Sequence, residues 1–185
     1  MTVEAAFPRI RAGQRLTADV LGARNIILVE QSEDVTITED DSLHDSDLVI
    51  PGMAGAVYKY ELYVSYSAVR EADSGSALVG SWDVPSGTAV NRFTTSFPVS
   101  PDTGLNTGNA VIMRRPANTT LQLMGGTDAS SPPVNFHSAY DRGTILLGGT
   151  AGDVTWRFGA NQDVAAETIL RGGANHTRLL YSRIA

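Results

Sequence analysis

The sequence predicts an all-β protein, in which an irregular N-terminal arm precedes an antiparallel β-sandwich with jelly-roll-like connections. Apolar and polar residues alternate with period two in many short segments, and turn signals rich in glycine and proline separate these segments at fairly regular intervals. No long segment has a helical period. The chain has 185 residues and a net charge of −6, which is enough for one domain with a buried core.

The first 25 residues differ in composition from the rest and predict a docking arm, whereas residues 26–185 predict the sandwich domain. The arm is locally basic, and Pro8 and Gly13 interrupt it. Such a segment buries little apolar surface alone, so we expect it to dock on the domain or on a partner. The residues predicted to make this contact are Phe7, Arg9, Arg11, Arg15 and Arg24.

An acidic segment from Glu30 to Asp47 follows the arm and contains no Lys or Arg. Val35 and Ile37 alternate with Thr36 and Thr38, which predicts a short exposed strand. Clustered carboxylates raise the hypothesis of a calcium site, but the Asp45-x-Asp47 pair continues into Leu48 and not into the glycine turn of calcium loops. We therefore interpret the segment as a solvated acidic loop, and we expect no metal ion or other cofactor.

The clearest strand is predicted at residues 56–67, where apolar residues share one parity and polar residues largely share the other. The apolar set is Tyr58, Tyr60, Leu62, Val64 and Tyr66. Further strands are predicted around Trp82 and Val84, around Phe93, Phe97 and Val99, and over residues 110–114, 119–124, 134–139, 144–147, 153–158, 165–170 and 177–184.

A glycine-rich segment, Gly148 to Gln162, has two interpretations: a phosphate-binding loop or a turn with a strand. A phosphate loop opens a helix, so that backbone amides point at the anion. Here Val154, Trp156 and Phe158 alternate with polar residues, which indicates a strand. Residues 144–158 are therefore predicted to form a β-hairpin whose glycine-rich tip adopts positive φ angles.

Catalytic signatures are absent from the sequence, which predicts a non-enzymatic protein. His44, His137 and His176 have no metal-ligand spacing, and no GxSxG elbow occurs. A glycosidase needs two carboxyl groups across a sugar bond, and Asp83, Asp153 and Asp163 are candidates in principle that the sequence does not bring together.

Binding partners are constrained by charge and hydropathy. An acidic chain is a poor general binder of nucleic acid, and no segment approaches the length of a membrane span. Tyr63 lies on the minority parity of its strand, so it is either an exposed platform for a sugar ring or a cross-strand packing residue.

Four segments carry a family resemblance: AGQRLTADVL at 12–21, YELYVSYSA at 60–68 leading into LVGSWDVPSG at 78–87, GGTAGDVTWRFGANQ at 148–162, and the closing ILRGGANHTRLLYSRIA. Together they resemble a family of small virion structural proteins from tailed phages of actinobacteria. The shared features are an arm with a glycine and a Leu-Thr-Ala segment, the turn Trp82-x-x-Pro85-x-Gly87, the late GGTAG segment and the Asn161-Gln162 strand end. The chain departs from this family at Phe158-Gly159, where the family often continues an apolar strand.

The resemblance implies a virion structural protein without enzymatic activity. The favoured role is a capsid decoration protein that binds the outer face of the major capsid shell as a homotrimer and stabilises it. The expected partners are the major capsid protein and further copies of the chain, with no nucleic acid and no membrane. The expected location is the capsid surface, after synthesis in the cytoplasm of the bacterial host. The alternative is a minor tail or fibre-associated protein that contacts glycans on the host surface.

Overall fold

The computed structural model describes residues 25–68, 70–71, 74–75, 77–96, 112–115, 118–125, 136–175 and 177–185. The predicted arm lies outside these residues except for Asn25, and so do all its proposed docking residues, Phe7, Arg9, Arg11, Arg15 and Arg24. The strands are β1 (Ile27–Glu30), β2 (Val35–Ile37), β3 (His44–Gly52), β4 (Val57–Ala68), β5 (Arg70–Glu71), β6 (Ser74–Gly75), β7 (Leu78–Asp83), β8 (Ala89–Ser96), β9 (Ile112–Arg114), β10 (Gln122–Gly125), β11 (His137–Leu146), β12 (Gly152–Ala160), β13 (Thr168–Leu170) and β14 (Arg178–Arg183). A 3-10 turn, Gly173–Asn175, precedes the last strand.

Two antiparallel sheets form a sandwich. The larger sheet has the order β1-β14-β4-β11-β8-β9, with β13 pairing with both β4 and β2, and the smaller sheet has the order β10-β7-β12-β3. Between β3 and β12 the antiparallel pairs are nested: β8–β9 is innermost, followed outward by β7–β10, β4–β11 and β3–β12. The short strands β5 and β6 lie between β4 and β7 in the chain and form a separate two-stranded sheet. This nesting is the jelly-roll connectivity. The predicted fold class, an antiparallel β-sandwich of jelly-roll type, is confirmed.

The core lies between the sheets, and β4 supplies much of it. The predicted apolar parity of β4 is confirmed, since all five of its residues from Tyr58 to Tyr66 on that parity are buried. Trp156 and Phe158 of β12 face them from the smaller sheet and stack with ring centroids 6.0 Å apart. The Tyr66 hydroxyl donates a hydrogen bond to the Met124 carbonyl of β10 at 2.8 Å, which ties the two sheets together.

The acidic segment contributes more to the core than the sequence predicts. Residues 35–37 form β2, but this strand is not simply exposed, because Ile37 is buried and β2 pairs with β13. Strands β13 and β14 lie within the predicted ranges 165–170 and 177–184, whereas β12 extends beyond the predicted range 153–158 at both ends. Phe97 and Val99 lie outside the described residues.

The prediction of a hairpin at residues 144–158 is wrong. Strand β11 ends at Leu146 in the larger sheet, whereas β12 begins at Gly152 in the smaller one, so the segment crosses between the sheets. None of its glycines has a positive φ. Instead Gly148 permits close packing, since a Cβ there would lie 2.8 Å from the carbonyl oxygen of Gly87, which itself has a φ of 80°.

Strand β11 is continuous where the sequence predicts two separate strands. Gly143 lies in its middle and pairs with Arg92 of β8. A Cβ at Gly143 would collide with the carbonyl oxygen of Asn91 on β8. The glycine therefore lets two backbones approach closely inside a strand and does not end it.

Replacing Gly143 by valine should destabilise the protein, because the side chain would push β8 away from β11. We expect the free energy of unfolding to fall by about 1–3 kcal/mol, as for other overpacked sites. Urea unfolding followed by circular dichroism measures this change. The matched control is Gly149→Val, because a Cβ at Gly149 would meet nothing within 4 Å. Equal unfolding midpoints for the two variants would contradict the close approach.

Candidate functional site: the outer face of the larger sheet

The outer face, defined as the solvent side of the larger sheet, presents its side chains in rows that cross the strands. Because side chains alternate along each strand, residues paired across neighbouring strands share this face. One row is Glu30, Arg178, Tyr63, Tyr140 and Thr95; the next is Leu28, Leu180, Glu61, Arg142 and Phe93; a third is Ser182, Lys59, Thr144 and Asn91. The face thus combines aromatic rings with arginines, a composition enriched at protein interfaces.

An aromatic pair lies at the centre of this face. Tyr63 of β4 packs against Tyr140 of β11 with ring centroids 4.8 Å apart and an interplanar angle of 33°. The guanidinium of Arg178 lies 5.7 Å from the centre of the Tyr63 ring, and that of Arg142 lies 5.6 Å from the Tyr140 ring. The cross-strand packing predicted as one interpretation of Tyr63 is present, and 40% of its side chain remains exposed.

A carboxylate accompanies the tyrosine pair. The Tyr63 hydroxyl donates to Glu61 Oε2 at 3.4 Å, and Lys59 Nζ lies 3.3 Å from Glu61 Oε1. A hydrogen bond from Tyr140 is the main cause that lowers the pKa of Glu61, with Lys59 acting in the same direction. Partial burial and then the bond to Glu61 raise the pKa of Tyr140 to about 12. At neutral pH the cluster therefore holds an ionised carboxylate beside neutral phenols.

Two of the depressions on the outer face lie beside the tyrosine pair. The first, the aromatic trough, has a volume of about 300 Å³ and is lined by Tyr63, Thr95, Phe136, Ser138 and Tyr140, with Ser96 and Ala139 below them. The second, the Phe93 depression, has a volume of about 330 Å³ and is lined by Phe93 together with Lys59, Tyr60, Arg142, Gly143, Thr144 and Ile184. Both are open to solvent beside the tyrosine pair.

Among the described strands, β1 lies at one edge of the larger sheet, and the start of β1 is apolar. Ile26, Ile27 and Leu28 lie in succession at the start of β1, and 70%, 43% and 51% of their side chains are exposed. Strand β1 pairs with β14 on one side and is the last strand of the sheet's order on the other. We call residues 26–28 the apolar edge; they follow the predicted arm directly in the chain.

The carboxylates of the acidic segment bind loop atoms and neighbouring side chains. Asp47 accepts hydrogen bonds from the Ser32 backbone amide at 2.8 Å and from the Ser32 hydroxyl at 2.5 Å, and these bonds lower its pKa. Asp45 pairs with Arg157 of β12 at 2.8 Å. Within the described ranges, no group of three or more His, Cys, Asp or Glu side chains is placed to hold a metal ion.

The remaining candidates from the sequence lie apart from the outer face. His44 binds Asp40 at 2.9 Å, and His137 is buried beside Tyr66, whereas His176 lies outside the described residues. Asp83 and Asp153 lie exposed on adjacent strands of the smaller sheet. Asp163 is exposed in the loop after β12, beyond the end of that strand.

One charged network was not predicted, because it is buried between the sheets. Arg92 and Asp141 are both fully buried and form an ion pair. Arg92 Nε donates to Asp141 Oδ2 at 2.9 Å, Arg92 Nη1 donates to the Thr120 carbonyl at 2.9 Å, and the Tyr60 hydroxyl donates to Asp141 Oδ1 at 3.1 Å. The network is enclosed by the core, so we assign it to stability and not to binding.

Comparisons with known proteins complete this description. No family model and no curated protein matches the chain. Among solved structures, the chain is similar to a mutant VP2 protein of infectious bursal disease virus in T=1 particles, with 14% identity over 87% of this chain and 36% of that chain and a TM-score of 0.21. It is also similar to a VP2 subviral particle of the same virus, with 12% identity over 87% of this chain and 38% of that chain and a TM-score of 0.20.

The chain spans little more than a third of the length of these viral proteins. Both belong to virus particles by their descriptions, but a likeness with TM-scores this low carries no argument about this chain. A separate observation concerns membranes: across the part of the chain that the structure describes, no helix has the length and apolarity that a bilayer crossing requires.

Proposed function

We propose that this protein is a non-enzymatic structural component of a virus particle. In particular, we propose a capsid decoration protein of a tailed phage, which binds the outer face of the major capsid shell as a homotrimer and stabilises it. The observation that carries the proposal is the apolar edge, together with the basic arm that precedes it. The family resemblance of the sequence supports the same role.

The apolar edge has the properties of an assembly surface. A sheet edge presents unpaired backbone N–H and C=O groups, and proteins commonly protect such edges with charges, prolines or covering segments. Here Ile26, Ile27 and Leu28 are exposed instead, and Glu30 is the only charged residue of β1. Contact with a neighbouring subunit or with the shell would remove both the unpaired backbone and the apolar side chains from water.

The arm and the apolar edge are consecutive in the chain, so they form one continuous docking segment. The arm supplies Phe7 and four arginines, Arg9, Arg11, Arg15 and Arg24. Arginine and aromatic residues dominate the binding energy of many interfaces. We propose that this segment contacts the major capsid protein and adjacent copies, while the sandwich projects outward with its outer face open to solvent. The chain as a whole has a net charge of −6, which disfavours general binding to nucleic acid.

Removing residues 2–24 should reduce incorporation into particles by about tenfold or more, because it deletes the cationic half of the docking segment. Leu28→Glu should act in the same direction, since it places a charge in the apolar edge, and it should also weaken the trimer. Quantitative immunoblotting of gradient-purified particles and sedimentation equilibrium of the purified protein measure the two effects.

The matched control is Leu121→Glu, which changes an equally exposed leucine, 49% accessible, in the segment before β10. This variant should enter particles like the unmodified chain. If the arm deletion and Leu28→Glu both leave incorporation and oligomeric state unchanged, the docking proposal is wrong.

A further inference from the structure

We propose that the aromatic trough is a carbohydrate-binding site that takes pyranose-containing saccharides. The proposal goes beyond decoration of a shell and does not rest on it, because it concerns the isolated protein in solution. It deepens the interpretation of Tyr63 as a sugar platform by identifying the second ring, the floor and the residues that hold the rings in place.

The geometry of the trough suits a small ring-shaped ligand. Phe136 and Tyr140 are four residues apart on the same side of the chain, with Ser138 between them, which separates the two rings by about 13 Å along the strand. Tyr63 is paired with Tyr140 across the two strands, so it adds another aromatic ring at the Tyr140 end of the trough. The volume of about 300 Å³ lies at the lower limit of small-molecule sites, which span about 300–1,000 Å³.

The chemistry of the lining distinguishes a saccharide from an apolar ligand. A pyranose has C–H faces that pack on aromatic rings and a rim of hydroxyl groups that require hydrogen bonds. In the trough, the exposed rings of Phe136 and Tyr63 provide aromatic surface for the C–H faces of the sugar. The hydroxyl groups of Ser138 and Thr95 provide hydrogen-bond partners for the sugar hydroxyls. A hydroxyl group can donate one hydrogen bond and accept two. Among its described lining residues, no aliphatic side chain is larger than alanine, in contrast to the apolar edge.

The rings that form the walls are held in position before any ligand binds. The guanidinium of Arg171 lies 4.7 Å from the centre of the Phe136 ring, and Arg171 itself binds Asp34 at 2.7 Å and the Ser67 hydroxyl at 3.0 Å. Tyr63 is held by its packing against the tilted ring of Tyr140 and by Arg178. A preorganised site loses less conformational entropy when it binds a ligand.

The Phe93 depression provides an internal comparison on the same face. It has a similar volume, but Phe93 is the one exposed aromatic ring among its described lining residues, beside Lys59, Arg142 and Ile184. The Phe93 side chain is 45% exposed, close to the 40% of Tyr63 and the 52% of Phe136. Removing the Phe93 ring therefore controls for the loss of an exposed aromatic side chain without touching the trough.

The test titrates the purified full-length protein with mannotetraose, cellotetraose, chitotetraose and maltotetraose, and follows backbone amide resonances. We expect at least one saccharide to bind with a Kd of about 1 mM or tighter and to shift amides of β4 and β11 around Tyr63 and Ser138. Tyr63→Ala and Phe136→Ala should each weaken binding by about tenfold or more. Ser138→Trp, an exposed position on the floor, should abolish binding by filling the trough while both rings remain.

Phe93→Ala should bind the saccharide as the unmodified protein does. The proposal is overturned if none of the four saccharides binds, if Phe93→Ala weakens binding as much as Tyr63→Ala, or if Ser138→Trp binds normally. If no saccharide binds and Tyr63→Ala changes the oligomeric state, the trough is an interface between copies of the chain. That result would also overturn the proposal. None of these measurements involves incorporation into particles. If saccharide binding is not found, the decoration role is still decided by the separate incorporation experiment.

Discussion

Replacing Arg92 by methionine should lower the free energy of unfolding by about 3–5 kcal/mol, the usual cost of removing one partner from a buried ion pair. Both side chains of the pair are fully buried. Methionine fills a similar volume, but it leaves the buried Asp141 carboxylate without its cationic partner, and it leaves the Thr120 carbonyl without the guanidinium. Urea unfolding near neutral pH measures the loss.

The pH dependence of this variant follows from the carboxyl group. Burial raises the pKa of Asp141, while Arg92 and then the hydrogen bond from Tyr60 oppose the rise. Without Arg92 the folded-state pKa rises further above the unfolded value. The folded protein then binds a proton that the unfolded chain does not, so stability decreases as pH rises through the window between the two pKa values. The penalty of Arg92→Met should therefore be smaller at about pH 5 than at about pH 8.

A double variant separates the ion pair from packing. Asp141→Asn keeps the shape of the side chain and removes its charge, so Arg92→Met combined with Asp141→Asn leaves no buried charge without a partner. We expect the double variant to lose less stability than the sum of the single losses, by about 0.5–3 kcal/mol. Additive losses would show that Arg92 and Asp141 are not coupled, and an Arg92→Met variant as stable as the unmodified protein would show that the ion pair does not stabilise the fold.

Replacing Trp156 by alanine should cost about 3–5 kcal/mol, the range for removing a large aromatic side chain from a core. Trp156 is fully buried and stacks on Phe158. Gly80 of the neighbouring strand makes room for the indole, since a Cβ there would lie 2.6 Å from Trp156 Cζ2. The cavity left by alanine lies between the two sheets, so we expect the whole sandwich to unfold at lower urea concentration.

Phenylalanine at position 156 is the matched control for this prediction. Among the described residues the indole Nε1 of Trp156 has no hydrogen-bond partner. Trp156→Phe therefore reduces the volume of the side chain without breaking a described hydrogen bond. Trp156→Phe should lose less than half as much stability as Trp156→Ala. Equal losses in the two variants would contradict a role based on packing.

The sequence predicts the fold class and individual strands well, because both depend on local alternation. The parity of β4 shows this, since its tyrosines and aliphatic residues are buried as predicted. The partner of a strand is not a local property. Residues 144–158 alternate as a hairpin would, but β11 and β12 belong to different sheets. Likewise Gly143 resembles a turn residue in the sequence, although its role is set by Asn91, which is distant in the chain.

The candidate site is predicted only in part for the same reason. Tyr63 is identified by its parity, but its partner Tyr140 and the opposite wall Phe136 become visible only when β4 and β11 pair. Strand β8 is misleading, because Phe93 faces solvent while Arg92 on the opposite parity lies in the core. The signal in the sequence was Arg92, a charged residue on the parity that faces the core. It can be interpreted as half of an ion pair only when the structure places Asp141 opposite it.

The proposed role of this protein is that of a structural component on the outside of a virus particle. Immunogold electron microscopy of intact purified virions, with antibody raised against the full chain, tests it most directly. For a decoration protein, we expect gold distributed over the head surface. Gold confined to the tail would contradict the decoration role and favour the tail alternative. The absence of both labelling and any peptide of the chain from the particles would contradict the structural role altogether.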